Sequence, residues 1–74
     1  MSQTLVEEGI KACQSDNFEK GVTLFTKALT QSPQDLSALY NRARAYSKLD
    51  QLAKALDDFK QLVLLQPTNA KFIG

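Results

Sequence analysis

The sequence predicts an all-α fold in which two tandem helix-turn-helix repeats form a fragment of an α-solenoid. Three observations support this prediction. First, apolar residues recur three and four apart, which is the spacing of one helix face. Second, breakers divide the apolar segments into four stretches of helix length. Third, the 74-residue chain matches itself at an offset of 34 residues. The identical pairs are Leu5 with Leu39, Asp16 with Asp50, Lys20 with Lys54, Phe25 with Phe59 and Pro33 with Pro67.

The first helix is predicted from about Leu5 to Ser15. Thr4 and Glu7 have the spacing of a capping box, in which each side chain would accept a hydrogen bond from an otherwise unpaired backbone amide. Asp16 and Asn17 follow, and both residue types favour turns. The sequence therefore predicts a helix closed by a tight turn.

The other three helices are predicted at about Phe18 to Gln31, Leu36 to Leu49 and Leu52 to Leu65. Pro33 and Pro67 stop the second and the fourth helix, because a residue that precedes proline disfavours the helical region. Asp35 is a candidate N-cap for the third helix.

This order of elements predicts one domain over residues 1–74. The first repeat covers about 2–35 and the second about 36–69. Asn69 resembles a cap, so residues 70–74 are expected to start a truncated further helix.

The pattern resembles the tetratricopeptide repeat, which has a 34-residue period and the signature Trp-x2-Leu-Gly-x2-Tyr, Ala-x3-Phe, Pro. In the first repeat these slots hold Leu5, Glu8, Gly9, Ala12, Gly21, Phe25 and Pro33. In the second they hold Leu39, Arg42, Ala43, Tyr46, Ala55, Phe59 and Pro67. Leucine replaces the Trp of the family, and Glu8 and Arg42 replace its Leu. The resemblance implies a right-handed superhelix whose first helices line a concave groove that holds peptides.

The predicted core depends on pairs of small residues beside a large one. Small side chains let two helices approach closely, and an aromatic ring fills the space next to them. The small residues are Gly9, Gly21, Ala43 and Ala55, and the aromatic residues are Phe25 and Phe59.

Composition excludes several classes of partner. The net charge is +1, so no overall field attracts nucleic acid or a membrane surface. The longest apolar run, Leu62 to Leu65, is too short to span a bilayer. The single Cys13 has no partner for an internal disulfide, which fits the cytoplasm.

The sequence also argues against an enzyme. It contains no histidine, so the commonest acid/base group and the commonest zinc ligand are missing. The neighbouring carboxylates at Glu7-Glu8 and Asp57-Asp58 point about 100° apart on a helix and are interpreted as solvated surface. Cys13 has no histidine to activate it. We expect no catalytic residues, no metal site and no cofactor.

A candidate binding groove begins on the first helix. Val6, Ile10 and Cys13 form a second apolar stripe, displaced from the one that faces the second helix. By the resemblance, this stripe would line the groove. The alternative is that the third helix buries it.

The third helix supplies the polar side of this candidate groove. Tyr40, Arg44 and Lys48 follow at intervals of four, so they share one face and are suited to hold a carboxylate beside an aromatic ring. Asn41 lies next to them. The alternative is a solvated basic face without a ligand.

Some members of the family bind the C-terminal carboxylate of chaperones with two lysines, two asparagines and an arginine spread over three repeats. Asn41 matches the second asparagine. Val6 and Ile10 occupy the places of the first lysine and the first asparagine, and a third repeat is missing. The sequence therefore does not favour a chaperone tail over other ligands.

The leading hypothesis is a protein-interaction module whose groove binds a peptide of a partner protein, with an acidic or C-terminal carboxylate group on that peptide. The alternative is a self-associating scaffold, or part of a longer repeat array, with no ligand of its own. Its candidate residues for homodimer formation lie on the fourth helix and after it: Leu56, Leu62, Val63, Leu65, Phe72 and Ile73.

Overall fold

Four α-helices form the part of the chain that the computed structural model describes, residues 2–65. They are α1 (Ser2–Gln14), α2 (Phe18–Gln31), α3 (Leu36–Lys48) and α4 (Leu52–Leu65). No strand occurs within this range, so the all-α prediction is confirmed. None of the four helices is long and apolar enough to cross a membrane.

The start of α1 differs from its prediction. The helix begins at Ser2, and Thr4 therefore lies inside it and cannot act as the N-cap. The proposed capping box with Glu7 is wrong for this reason. A capping box marks a helix start only where the preceding residues leave the helical conformation, and Ser2 and Gln3 contain no breaker that would force this.

Side-chain caps begin α2 and α3. The Asn17 carboxamide oxygen accepts a hydrogen bond from the backbone N–H of Lys20 at 3.4 Å. The Asp35 carboxylate accepts one from the backbone N–H of Ala38 at 3.1 Å, which confirms its assignment as the cap of α3.

The two repeats turn between their helices in the same way. Asp16 and Asp50 both adopt a left-handed backbone conformation, with φ of 63° and 62°. In each turn the following N–H donates back across the helix end at 2.8 Å, from Asn17 to the Ala12 carbonyl and from Gln51 to the Tyr46 carbonyl. These bonds satisfy carbonyl groups that the helix leaves open.

The helices pack as two hairpins joined through their middle elements. α1 packs along α2, α3 packs along α4, and α2 packs on α3, while α1 and α3 touch over a shorter length. The centre of the core is Phe25, which is fully buried and clusters with Val6, Ala28 and Ala38. Three of the helices therefore meet at one aromatic ring.

Glycine permits the close approach of α1 and α2, as the sequence predicts. A Cβ atom built on Gly9 would lie 2.5 Å from Cε1 of the buried Phe25 ring. One built on Gly21 would lie 2.6 Å from Sγ of Cys13 and 3.2 Å from the carbonyl oxygen of Gly9. The distances of 2.5 Å to the Phe25 ring and 2.6 Å to the Cys13 sulfur are too short for van der Waals contact. In the second repeat the corresponding residues, Ala43 and Ala55, are buried.

An ion pair between a half-buried arginine and a buried aspartate connects the helices of the second repeat. Nε and Nη2 of Arg42 donate to the two carboxylate oxygens of Asp58, each at 2.7 Å. Nη1 of Arg42 also donates to Oγ1 of Thr26 on α2 at 3.2 Å. The hydrogen bond with Asp58 raises the pKa of Arg42 above its usual value, against the opposing effect of burial. The prediction that Asp58 is solvated surface is wrong, because Arg42 provides the charge that its burial requires.

Two further predictions about side-chain burial are wrong. Phe59 was expected in the core, but 37% of it is exposed, whereas Phe25 is 0% exposed. Leu62 was expected on an open face, but it is only 8% exposed. Both residues lie on α4, the last described helix. Among the described helices, α3 is the one that packs along α4, so one side of α4 is covered and the other is open.

Candidate functional site

A cleft of about 350 Å³ opens between α1 and α3, at the end where α2 begins. It is lined by Ile10, Cys13, Gln14, Asp16, Phe18, Asn41, Arg44 and Lys48. The cleft thus brings together five of the seven residues that the sequence suggested for the groove. Residues three and four apart on each helix share a face, and this spacing places them side by side.

The apolar side of the cleft consists of three half-buried side chains. Ile10 and Cys13 come from α1, and Phe18 is the first residue of α2. Ile10 and Cys13 also pack against the core cluster. Their position relative to the rigid centre of the domain is therefore set by core packing.

The thiol of Cys13 lies in an environment that favours its neutral form. Burial raises the pKa of Cys13, and the positive charge of Arg44 partly offsets the increase. Cys13 and Arg44 both line the cleft, so its apolar and basic sides adjoin each other. At neutral pH the thiol stays protonated and behaves as a small apolar group.

The polar side of the cleft comes from α3. Arg44 and Lys48 are exposed, and Asn41 is half-buried with one amide N–H donating to the carbonyl of Ser37 at 2.8 Å. Cζ of Arg44 lies 5.7 Å from the centre of the Tyr40 ring, within range of a cation–π contact. Tyr40 therefore contacts a residue of the cleft, Arg44, without being among the lining residues.

Val6 does not belong to the cleft. It is 6% exposed and packs with Phe25, Ala28 and Ala38. For this residue the alternative interpretation, burial against the third helix, is the correct one. Ala38 of α3 belongs to the same buried cluster, so Val6 is covered where α1 and α3 meet.

Sequence reasoning missed three lining residues, Gln14, Asp16 and Phe18. All three lie at or beside the turn between α1 and α2. Phe18 was predicted as the first residue of the second helix, and this position beside the turn was the available signal. Asp16 adds a carboxylate, so the cleft carries charges of both signs.

Fewer cations of α3 lie at the cleft than its sequence suggests. Arg42 does not face the cleft, because its guanidinium is bound to Asp58 on α4. Only Arg44 and Lys48 remain as cations of the cleft. No group of three or more His, Cys, Asp or Glu side chains within residues 2–65 is arranged to hold a metal ion.

The residues suggested for self-association differ in how far they are exposed to solvent. Leu56 and Val63 are exposed by 54% and 63%, Leu65 is half-buried, and Leu62 is buried against the rest of the domain. Leu62 therefore cannot contribute to an open surface. Phe72 and Ile73 lie outside the described residues.

Comparison with known proteins agrees with the repeat architecture. A family model described as tetratricopeptide repeat matches residues 24–57, which is one full period and runs from α2 through α3 into α4. The chain belongs to the tetratricopeptide repeat family. Members of this family act as protein–protein interaction modules, and this chain is such a module.

Several curated proteins are similar to this chain, and two of the three named here are called tetratricopeptide repeat proteins. Tetratricopeptide repeat protein 28 of Homo sapiens is 37% identical over 84% of the chain. Tetratricopeptide repeat protein 36 of Caenorhabditis elegans is 34% identical over 96%. The heat-shock protein cognate (HSC) co-chaperone sgt12 of Aspergillus fumigatus is 34% identical over 95%.

The chain spans less than half the length of each of these three relatives. It covers 2% of the human protein, 40% of the nematode protein and 20% of the fungal co-chaperone. The similarity therefore concerns the repeats themselves.

Proposed function

We propose that the cleft between α1 and α3 binds an extended peptide of a partner protein that carries an apolar side chain and a carboxylate. The observation that carries this proposal is the arrangement of the cleft, with apolar side chains on α1 and two cations on α3 facing one volume of about 350 Å³. A cleft of this size suits a few side chains of a peptide.

The apolar side would take the anchoring side chain of the peptide. Ile10, Cys13 and Phe18 are half-buried before any ligand binds, and Ile10 and Cys13 are held by core packing. Little conformational entropy is lost when such a surface is covered, so apolar burial contributes directly to affinity.

The basic side would take the carboxylate. Arg44 is positioned by its contact with Tyr40, and Lys48 lies one helical turn further along α3. A guanidinium binds a carboxylate through two parallel hydrogen bonds, which gives the contact a defined direction. The second N–H of Asn41 would donate to a backbone carbonyl of the peptide.

The test uses fluorescein-labelled eight-residue peptides with alternating Leu and Asp, alternating Leu and Lys, or alternating Ser and Asp. We expect the Leu/Asp peptide to bind most tightly by fluorescence anisotropy, because only this peptide matches both sides of the cleft. Equal binding of all three peptides, or tightest binding of the Leu/Lys peptide, would refute the proposed chemistry.

Arg44→Glu should weaken binding of the Leu/Asp peptide by at least tenfold and change the melting temperature little, since exposed substitutions usually alter stability by less than about 0.5 kcal/mol. Lys27→Glu is the matched control, because Lys27 is an exposed cation on α2 outside the cleft. We expect it to bind like the wild type. If both substitutions weaken binding equally, net charge rather than the cleft is responsible.

The carboxylate could belong to an acidic side chain or to the C-terminus of the partner. One relative is named as a heat-shock cognate co-chaperone, which makes a C-terminal chaperone segment one candidate ligand. Comparing the Leu/Asp peptide with a free and with an amidated C-terminus separates the two sources. A loss of affinity on amidation indicates a C-terminal ligand, and no change indicates side-chain recognition.

The position of Cys13 offers a second readout and fits a cytoplasmic module. A bound peptide should cover its sulfur, so alkylation of Cys13 by iodoacetamide should slow when the peptide is present. A reducing compartment such as the cytoplasm would keep this thiol free.

A further inference from the structure

Asp16 is the only acid among the described residues that line the cleft between α1 and α3. It is exposed, and within residues 2–65 its carboxylate forms no ion pair with Arg44 or Lys48, which line the same cleft. An acid and two cations therefore face one volume without being paired to one another. A ligand that carries charges of both signs is complementary to such a surface.

The turn after α1 fixes the position of Asp16. Its backbone adopts the left-handed conformation, with φ of 63°, and its N–H donates to the carbonyl of Cys13 at 2.9 Å. The next N–H, that of Asn17, donates to the carbonyl of Ala12 at 2.8 Å. Asp16 therefore extends the wall of the cleft that α1 forms, just beyond Cys13.

The two walls of the cleft run in the same direction. Turns of three and of four residues join α1 to α2 and α2 to α3, and both pairs of helices pack together. Helices joined by such short turns are antiparallel, so α1 and α3 point the same way. Asp16, which follows α1, and Lys48, the last residue of α3, therefore lie at the same end of the cleft on opposite walls.

An extended peptide presents successive side chains to opposite walls of this cleft. An acidic residue that faces Arg44 and Lys48 on α3 has neighbours that face α1. If one neighbour is the apolar side chain that contacts Cys13, the other lies about 6.6 Å further along the same wall. Asp16 follows Cys13 by about 4.5 Å at the rise of a helix, so it meets this second neighbour.

We propose that Asp16 selects the charge of this peptide residue, so that the cleft prefers an apolar, an acidic and a basic residue in consecutive positions. The proposal rests on the proposed function of the cleft. A lysine or arginine at the third position pairs with Asp16, whereas a second acidic residue is repelled by it. Asp16 thus determines specificity, while the apolar side and Arg44 provide the anchors.

Asp50 separates this role from that of the turn. It occupies the equivalent position of the second repeat, with φ of 62°, and does not line the cleft. Asparagine also tolerates the left-handed conformation. Asp16→Asn and Asp50→Asn therefore each remove one charge and keep the turn, and both should retain the melting temperature of the wild type.

The test uses fluorescein-labelled, C-terminally amidated peptides in which Leu-Asp-Lys or Leu-Asp-Glu is flanked by serines. The reversed orders, Lys-Asp-Leu and Glu-Asp-Leu, are included because side-chain positions do not fix the direction of the peptide. In one order or both, the wild type should bind the Lys peptide more tightly than the Glu peptide by fluorescence anisotropy. Asp16→Asn should lower this ratio of affinities by about threefold, the size of one exposed ion pair, and Asp50→Asn should leave it unchanged.

Moving the basic residue by one position tests the assignment of the walls. In Leu-Asp-Ser-Lys the lysine faces α3 beside Lys48, so this peptide should bind no more tightly than Leu-Asp-Ser-Glu. A preference for lysine as large as in Leu-Asp-Lys would overturn the inference.

The outcomes distinguish this inference from the proposed function. An unchanged ratio in Asp16→Asn, or an equal fall in Asp50→Asn, overturns the inference alone if Arg44→Glu still weakens binding. The pattern needs an acidic side chain, so peptides that bind only through a free C-terminus also overturn the inference and leave the proposed function in place. Absence of binding by every peptide, with free or amidated C-terminus, overturns both.

Discussion

At the scale of single residues, the same amino acid at equivalent positions has different surroundings in the two repeats. Phe25 and Phe59 occupy one slot of the repeat, and each follows a small residue four positions earlier, Gly21 and Ala55. Phe25 is enclosed by α1, α2 and α3, whereas Phe59 contacts Tyr40 and is otherwise open on its outer side. Residue type alone therefore does not determine what each ring contributes to stability.

This difference should appear in the free energy of unfolding. Phe25→Ala should cost about 3–5 kcal/mol, because it leaves a closed cavity, and a domain of this size has little more stability to lose. Phe59→Ala should cost about 1–2 kcal/mol, because its site is already open to solvent. Urea denaturation followed by circular dichroism at low micromolar concentration measures both. Equal losses would contradict the burial described above.

At the scale of elements, the turns between paired helices depend on an unusual backbone conformation. Asp16 and Asp50 are the two non-glycine residues with positive φ within residues 2–65. Aspartate tolerates this region better than most residues, because its short polar side chain can interact locally. The turn therefore ends one helix and starts the next with three residues between them.

Substitutions of Asp50 test the importance of this conformation, and Asp50 is suitable because it is not one of the residues lining the cleft. Asp50→Val should destabilise the fold by about 1–2 kcal/mol, since a β-branched residue fits the left-handed region poorly. Asp50→Gly should be neutral or stabilising by up to about 1 kcal/mol. Thermal melting measures both changes.

The control for this pair is Asp57→Val, at an exposed helical position of α4. Because aspartate and valine have similar helix propensities, this change should stay within about 0.5 kcal/mol. A penalty as large as that of Asp50→Val would mean that the loss of aspartate, and not the turn geometry, is responsible.

At the scale of the whole molecule, the Arg42–Asp58 pair connects three of the four helices. Arg42 on α3 binds Asp58 on α4 and Thr26 on α2, and its guanidinium also lies 5.6 Å from the centre of the Tyr46 ring. In the first repeat the corresponding residues are Glu8 and Leu24, which cannot form this pair. The pair is therefore specific to the second repeat.

Breaking this pair on one side should be more harmful than replacing both residues. Arg42→Leu leaves a buried carboxylate without a partner and should cost about 3–5 kcal/mol. Asp58→Leu should cost less, because the longer Arg42 side chain can reach solvent. The double variant should recover part of the loss, with a coupling of about 0.5–3 kcal/mol in a urea-denaturation cycle. Strictly additive costs would show that the two groups do not act together.

Much of the fold follows from the sequence itself. The two copies at one offset, the prolines after the second and fourth helices, and the small residues at Gly9 and Gly21 are local or periodic signals, and they predict the helices, the repeat and the family. Five of the seven residues suggested for the groove line one cleft, because spacing along a helix determines which side chains share a face.

Only the tertiary structure decided which of several apolar or charged residues with similar sequence patterns is buried. Val6 belongs to the core and Ile10 to the cleft, although both lie on one stripe of α1. Asp58 is buried because Arg42 reaches it from another helix, sixteen residues away in sequence. Helix periodicity reflects near neighbours along the chain, whereas burial depends on which distant element covers a face. The element that covers a given face is therefore different for a helix packed inside the stack and for a helix at its end.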